Sequence, residues 1–327
     1  MSEPLHNPFV HLRGKAVLEL AATDRFAAAG HWWSQPEIDA LILAWAARRP
    51  LLVRGEAGSG KSQIARAAAA CESLGPLLVE VIHPRFEALD LLYQVDVVAR
   101  LADAQVENAL DRTNVKYVKH GRLWQAMDKT APDKPTPVLL IDEIDKADAD
   151  VPNALLDVLG NRSFTVPPLE DKTISAEGGR LPLVVITTNE ERELPAAFVR
   201  RCVVLNLKPP ENPNEFIDWL IERGGVHRHL DVENEACNEA ARQVYQDRVD
   251  AVRQGYPPVG LAEYIDLLTA LHELTRGVPP ANRAAKQLEW LRRIGVYALV
   301  KNAGQRQTRS RRDNGEPPSA SEADEGE

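Results

Sequence analysis

The run Gly55-Glu56-Ala57-Gly58-Ser59-Gly60-Lys61-Ser62 fits the pattern G-x-x-x-x-G-K-[ST]. The chemistry of that pattern is phosphate binding. Glycines let a backbone wrap so that its N–H groups face an anion. A helix opening behind the loop adds positive potential. Lys61 is placed to reach the β- and γ-phosphates of a nucleotide and Ser62 to ligate Mg2+, with Gln63 following in the first helical turn. About 80 residues on, the run Val138-Leu-Leu-Ile-Asp142-Glu143 ends in two carboxylates. Asp142 suits a water-mediated contact to Mg2+, and Glu143 suits the orienting and polarising of an attacking water. A further run, Leu183-Val-Val-Ile-Thr-Thr-Asn189, ends in polar residues, and Asn189 is the candidate to meet the γ-phosphate or the water. Then comes Leu194-Pro-Ala-Ala-Phe-Val-Arg200-Arg201-Cys202. An arginine delivered from a neighbouring subunit can speed phosphoryl transfer by about 10³–10⁵.

These residues need elements that bring them to one place. The pattern predicts a helix over Ile38–Arg48 with Pro36 and Glu37 at its start. A buried strand over Leu51–Val53 runs into the loop, and an Ala-rich helix over Lys61–Glu72 leaves it. Strands are also predicted at Leu77–Ile82, Val138–Ile141, Leu183–Thr187 and Val203–Leu207. Between them Phe86–Gln105 reads as mostly helical, Lys116–Val118 as β-like, and Leu123–Met127, Val151–Leu159 and Pro195–Arg201 as helices. Asp145, Asp148 and Asp150 read as acids capping the helix that follows them. Strands that are continuous apolar runs alternating with helices point to a parallel sheet covered on both faces. Ligands of such sheets sit at the carboxyl ends of the strands, where the loop, the acidic pair and Asn189 all fall.

After Pro209–Pro210 the pattern is helical only. The last predicted helix carries Trp290, Ile294, Tyr297 and Val300 along one face. The expected organisation is an N-terminal segment (1–34), an α/β nucleotide-binding domain (35–209), an α-helical domain (210–302) and a disordered tail (303–327).

Composition narrows the partners. Of 327 residues, Lys+Arg account for 39 and Asp+Glu for 48, a net charge of −9. An acidic chain repels phosphate in bulk, which counts against nucleic acid and anionic lipid. The longest uninterrupted apolar run, Ala40 to Ala47, is too short to span a bilayer, and the start of the chain does not read as a secretory signal. Cys71, Cys202 and Cys237 fit neither a disulfide framework nor a zinc spacing, and a reducing cytoplasm is expected. His227 and His229 form one close pair, read as ordinary loop histidines rather than a metal site.

GEAGSGKS, VLLIDEID, VITTN and LPAAFVRRC follow one another in the order and spacing of the AAA+ ATPases, which the chain resembles over about residues 30–275. There they match Walker A, Walker B, sensor 1 and the arginine finger. The long segment between the second strand and the Walker B strand, roughly 83–129, with DLLYQVDVVARLADAQ and YVKHGRLWQAMD, looks like the helical insert of the MoxR-like branch. The resemblance implies a three-layer P-loop NTPase domain with a parallel sheet, a smaller all-α lid, and a hexameric ring with ATP bound between subunits. It implies work on a protein client in the manner of a chaperone, and a partner carrying a von Willebrand A domain. It also makes Arg201 the first choice for the trans finger and Arg200 the second. The chain departs from the family at the second sensor: Gly255–Glu263 holds no Lys or Arg, and Arg253 just upstream is the candidate substitute.

The leading expectation is an Mg2+-dependent ATPase that forms rings and remodels or activates a protein partner. An ATP-loaded switch or scaffold with slow hydrolysis would use the same motifs, and would differ in turnover that ignores protein clients. A motor of a nucleic-acid system is the third expectation, and would show a salt-sensitive stimulation by DNA.

Overall fold

The computed structural model of the chain describes residues 7–106, 111, 113–128, 130, 134–176 and 181–299. The expected tail, 303–327, lies outside them, as does Val300 of the last predicted helix face. The described chain divides into two units. Unit 1 holds the described residues of 1–20, 31–56 and 61–207, and unit 2 those of 21–30, 57–60 and 208–327.

Two short strands, β1 (Val17–Leu20) and β2 (Ala29–Trp32), pair ahead of the first helix, in a stretch with no predicted element. Helix α1 (Gln35–Ala47) begins three residues before the predicted start. Ser34 is its N-cap and Glu37 closes a capping box, with the Ser34 N–H donating to Glu37 Oε2 at 2.8 Å. Arg48 ends it in a left-handed conformation, φ 53°.

Unit 1 is built on five parallel strands in the order β11–β3–β10–β7–β4. They are β3 (Leu51–Gly55), β4 (Leu74–Val81), β7 (Thr136–Asp142), β10 (Leu183–Thr188) and β11 (Val203–Leu207). Every residue of β10 is buried, and so are the first six of β7, which is why these runs carry no polar alternation. Between β3 and β4 runs α2 (Lys61–Ala69), shorter than predicted. The core joins Leu52, Leu139, Ile141, Val184 and Ile186 of the sheet to Trp124, Leu155 and Phe198 of the connections.

Phe86–Gln105 departs from the helical reading. It holds a 3-10 turn at Ala88–Leu91, β5 (Tyr93–Val95) and α3 (Val97–Ala104). Lys116 and Tyr117 lie in a 3-10 turn, and the strand β6 (Val118–His120) follows and pairs antiparallel with β5. A pairing between residues some 25 apart is invisible to local periodicity, so β5 interrupts the helical reading while Val97–Ala104 keeps it. After α4 (Arg122–Asp128) and β7, α5 (Asp150–Asn161) leads into a hairpin, β8 (Ser163–Val166) with β9 (Lys172–Ser175), another pairing without a predicted counterpart. Helix α6 (Ala196–Val199) precedes β11.

Unit 2 contains α7 (Pro213–Gly225), α8 (Asn234–Arg253), α9 (Leu261–Leu274) and α10 (Pro280–Leu299), with no strand among its described residues after 208. Its core gathers Phe216, Leu220, Val244, Tyr264, Leu267 and Leu291. Gly224 lets α7 approach α9, since a Cβ there would meet the Tyr264 ring at 2.7 Å. The loop tip Ala57–Gly60 groups with this unit, and a Cβ on Gly58 (φ +74°) would meet Ala262 Cβ at 2.5 Å. Ala262 belongs to the stretch without a basic residue, and Arg253 is exposed in the last turn of α8.

Candidate functional site

Three strands deliver the motif residues. Strand β10 lies between β3 and β7, with Thr188 in register with Arg54 and Ile186 in register with Ile141. Their carboxyl ends therefore bring Gly55, Thr187–Asn189 and Asp142–Glu143 to one edge.

The loop turns on positive φ at Gly58 (+74°) and Gly60 (+91°), where a side chain would be strained. Behind it, Lys61 is 6% exposed and its ammonium has three acceptors. It donates to Gly55 O at 2.9 Å, Glu56 O at 2.7 Å and Asn189 Oδ1 at 2.7 Å. Burial draws the Lys61 ammonium below its usual range, against the upward pull of Asp142, Asp145, Glu143 and Glu56. Ser59 Oγ and Gln63 Oε1 are buried without a hydrogen-bond partner. Orphaned polar atoms in a glycine-rich loop and in the first helical turn behind it fit a polar ligand. Ala57 completes the loop run.

The Ser62 hydroxyl donates to Asp142 Oδ1 at 2.8 Å. A hydroxyl beside a carboxylate is an oxygen set for a hard cation such as Mg2+. Among the described residues no cluster of three or more His, Cys, Asp or Glu suits a metal ion. Mg2+ needs no such cage, because it keeps waters and shares phosphate oxygens.

Thr187, fully buried at the end of β10, ties the acidic pair together. Its hydroxyl donates to Asp142 Oδ1 and accepts from the Glu143 N–H at 2.9 Å. Glu143 itself is left-handed, φ 61° and ψ 48°, so the chain turns sharply as it leaves β7. The Glu143 carboxylate meets Lys146 Nζ at 2.6 Å through Oε2 and the Asn189 amide at 3.3 Å through Oε1. Asn189 thus bridges Lys61 and Glu143. Thr187 and Lys146 were missed by sequence reasoning, which singled out Asn189 at the end of that strand. A hydroxyl in an apolar run and a lysine three residues after an acid were the available signals.

The acids after Glu143 differ from the capping reading. Asp145, 1% exposed, accepts from the N–H groups of Asn189 at 3.2 Å and Glu191 at 2.9 Å, so it fixes the loop after β10. Asp148 pairs with Arg192 at 3.4 Å, Ala149 is the N-cap of α5, and Asp150 sits in its first turn.

Arg200 and Arg201 follow α6, and both are exposed. The Arg200 carbonyl accepts from Arg49 Nη1 at 3.5 Å. Arg201 lines a cleft of about 650 Å³ together with Arg48, Arg49, Asp157 and Arg162. His227 and His229 lie with ring centroids 5.7 Å apart, and burial lowers the His227 pKa to about 4, with His229 adding to the shift.

Residues 50–202, a little under half of the chain, match the family described as AAA domain (dynein-related subfamily). No curated protein matches the chain. Similar solved structures include NtrX from Brucella abortus, at 16% identity and a TM-score of 0.40, over 71% of this chain and 47% of that one. NtrX from Brucella abortus in complex with ADP has 15% identity and a TM-score of 0.43, over 74% and 51%. RuvB from Thermotoga maritima has 16% identity and a TM-score of 0.38, over 78% and 67%. The chain spans about half the length of the NtrX chains it matches. The parallel five-stranded sheet with its phosphate loop, followed by helices, is the AAA+ P-loop NTPase fold, and residues 50–202 are the part similar to an AAA domain.

Proposed function

We propose that the chain is an Mg2+-dependent ATPase of the MoxR-like branch that forms a ring of copies, six by the family's habit, and remodels or activates a protein client. The observation that carries this reading is the meeting of Lys61, Ser62, Asp142, Glu143 and Asn189 at one sheet edge. An incoming phosphate competes with Gly55 O, Glu56 O and Asn189 Oδ1 for the Lys61 ammonium. It takes the loop N–H groups of residues 55–62. Ser62 and Asp142 would hold Mg2+, which when bound neutralises charge building on the phosphates. Glu143 orients water, Asn189 contacts the γ-phosphate or that water, and Arg201, ahead of Arg200, reaches the nucleotide of a neighbouring copy.

In this reading 35–209 is the nucleotide domain with an insert at about 83–129, and 210–302 is the lid. The client side includes a von Willebrand A-domain protein. The net charge of −9 counts against nucleic acid as the partner. No helix of the described residues is long and apolar enough to cross a membrane. The cytoplasmic place is proposed from three cysteines whose spacing fits no disulfide framework.

The test is phosphate release with ATP and Mg2+, together with native mass in ATP. Wild type turns over more per copy as it assembles. Glu143→Gln binds ATP, assembles, and hydrolyses at least about 100-fold more slowly. Wild-type turnover in Glu143→Gln would overturn the assignment of Glu143, and the absence of any Mg2+-dependent turnover in the wild type would overturn the ATPase reading.

A further inference from the structure

We propose that Lys146 is a positioning residue, holding one oxygen of Glu143 so that the other alone faces the nucleotide. The inference rests on the ATPase reading above.

A glutamate at the rim of a site has three side-chain torsions and, left alone, samples many orientations. Here both ends of the residue are fixed. The main chain is held in its left-handed turn by the Thr187 hydroxyl on the Glu143 N–H, at 2.9 Å. The carboxylate is held by Lys146 Nζ on Oε2 at 2.6 Å, a short charge-assisted bond. Lys146 sits three residues on, in the same 3-10 turn, so it can reach Oε2 without leaving the local backbone. Its ammonium is held above the ordinary lysine range by that bond, with further pull from Glu191 and Asp145.

The second oxygen has a weaker and different partner. Oε1 accepts from Asn189 Nδ2 at 3.3 Å, while the Asn189 Oδ1 accepts from Lys61 at 2.7 Å. Oε1 therefore lies one side chain away from the ammonium that meets phosphate. When a phosphate takes Lys61, Asn189 Oδ1 loses its donor and the amide is free to turn. Oε1 becomes the oxygen open to a water, and Oε2 stays on Lys146. No proton or bond changes hands at Lys146; it acts only through Glu143.

The experiment compares wild type, Lys146→Met, Lys146→Arg and Glu143→Gln as full chains. It measures kcat and KM for Mg-ATP, affinity for a fluorescent ATP analogue, and the melting temperature. Lys146→Met is expected to lower kcat by about 10- to 100-fold, the cost of a misplaced group. KM and analogue affinity are expected to stay within about twofold, and Lys146→Arg to keep at least about a third of wild-type kcat, since a guanidinium can hold the same oxygen. Turnover of Lys146→Met at or above wild type overturns the proposal, because Lys146 would then be inert or a brake. A matching loss of analogue affinity or melting temperature, or an Lys146→Arg as slow as Lys146→Met, also overturns it. Failure of the ATPase reading looks different: wild type itself shows no turnover, or Glu143→Gln equals wild type, and both proposals fall together.

Discussion

Replacing Thr187 by Val tests the geometry at the sheet edge most directly. Valine keeps the shape and removes the hydroxyl. In the wild type that hydroxyl donates to Asp142 Oδ1 and accepts from the Glu143 N–H. Losing a hydrogen bond to a charged group costs about 1.5–3 kcal/mol, and leaving the Glu143 N–H without a partner adds about 1–2 kcal/mol at this partly buried place. The extra buried methyl returns about 1 kcal/mol. The net is a destabilisation of about 3 kcal/mol. For a unit of this size each kcal/mol moves the melting temperature by about 2–4 °C, so a drop of about 6–12 °C is expected. Thr187→Ser is the control, since it keeps the hydroxyl and loses a methyl, for about 1 kcal/mol and a drop of about 2–4 °C. Far-UV circular dichroism melts without nucleotide read both. Mg-ATP turnover reads the consequence, because the Glu143 backbone is no longer held. A Thr187→Val protein that melts at or above Thr187→Ser would refute the claim that this hydroxyl holds the acidic pair in place.

Other perturbations separate the remaining roles. Arg201→Ala is expected to cut turnover by about 10³-fold and Arg200→Ala by much less, since only Arg201 lines the cleft beside α5 while the Arg200 carbonyl is held by Arg49. Mixing Arg201→Ala copies with Lys61→Met copies should restore part of the turnover, and the reverse ranking of the two arginines would move the finger to Arg200. For His227, whose pKa falls to about 4 in the folded chain, the unfolded chain binds the extra proton first as pH drops. Stability is therefore full above about pH 6.5 and is lost between there and about pH 4, by about 2 kcal/mol once partial solvent access is allowed for. Across that range the wild type should lose about 2 kcal/mol more than His227→Gln in melts, and parallel curves would count against a neutral, buried imidazole.

Much of the site was legible because its chemistry is written in contiguous runs. Gly58, Gly60 and Lys61 require a loop with positive φ and a helix behind it, and both are present. The apolar strands were legible because a strand buried on both faces has no polar alternation. What failed was non-local. The β5–β6 and β8–β9 pairings depend on partners elsewhere in the chain, so Phe86–Gln105 read as mostly helical although only Val97–Ala104 is an α-helix, and 163–175 carried no prediction. Asp145 read as a cap because local sequence cannot show that its carboxylate reaches the backbone of Asn189 and Glu191, more than 40 residues away.

By itself the sequence determined which residues are candidates for nucleotide chemistry, namely the loop from Gly55 to Ser62, the carboxylates Asp142 and Glu143 and the polar end at Asn189, and it marked the change to helices after Pro210. Only the tertiary structure decided that β10 lies between β3 and β7. That order inserts Thr187 against Asp142 and Glu143, lets Asn189 bridge Lys61 to Glu143, and leaves Lys146 on the far oxygen. The reason is physical. Motif residue types are set by what a phosphate or a cation needs, which short runs can encode. Strand order is set by the burial of whole sheet faces against distant helices, and no short run contains it.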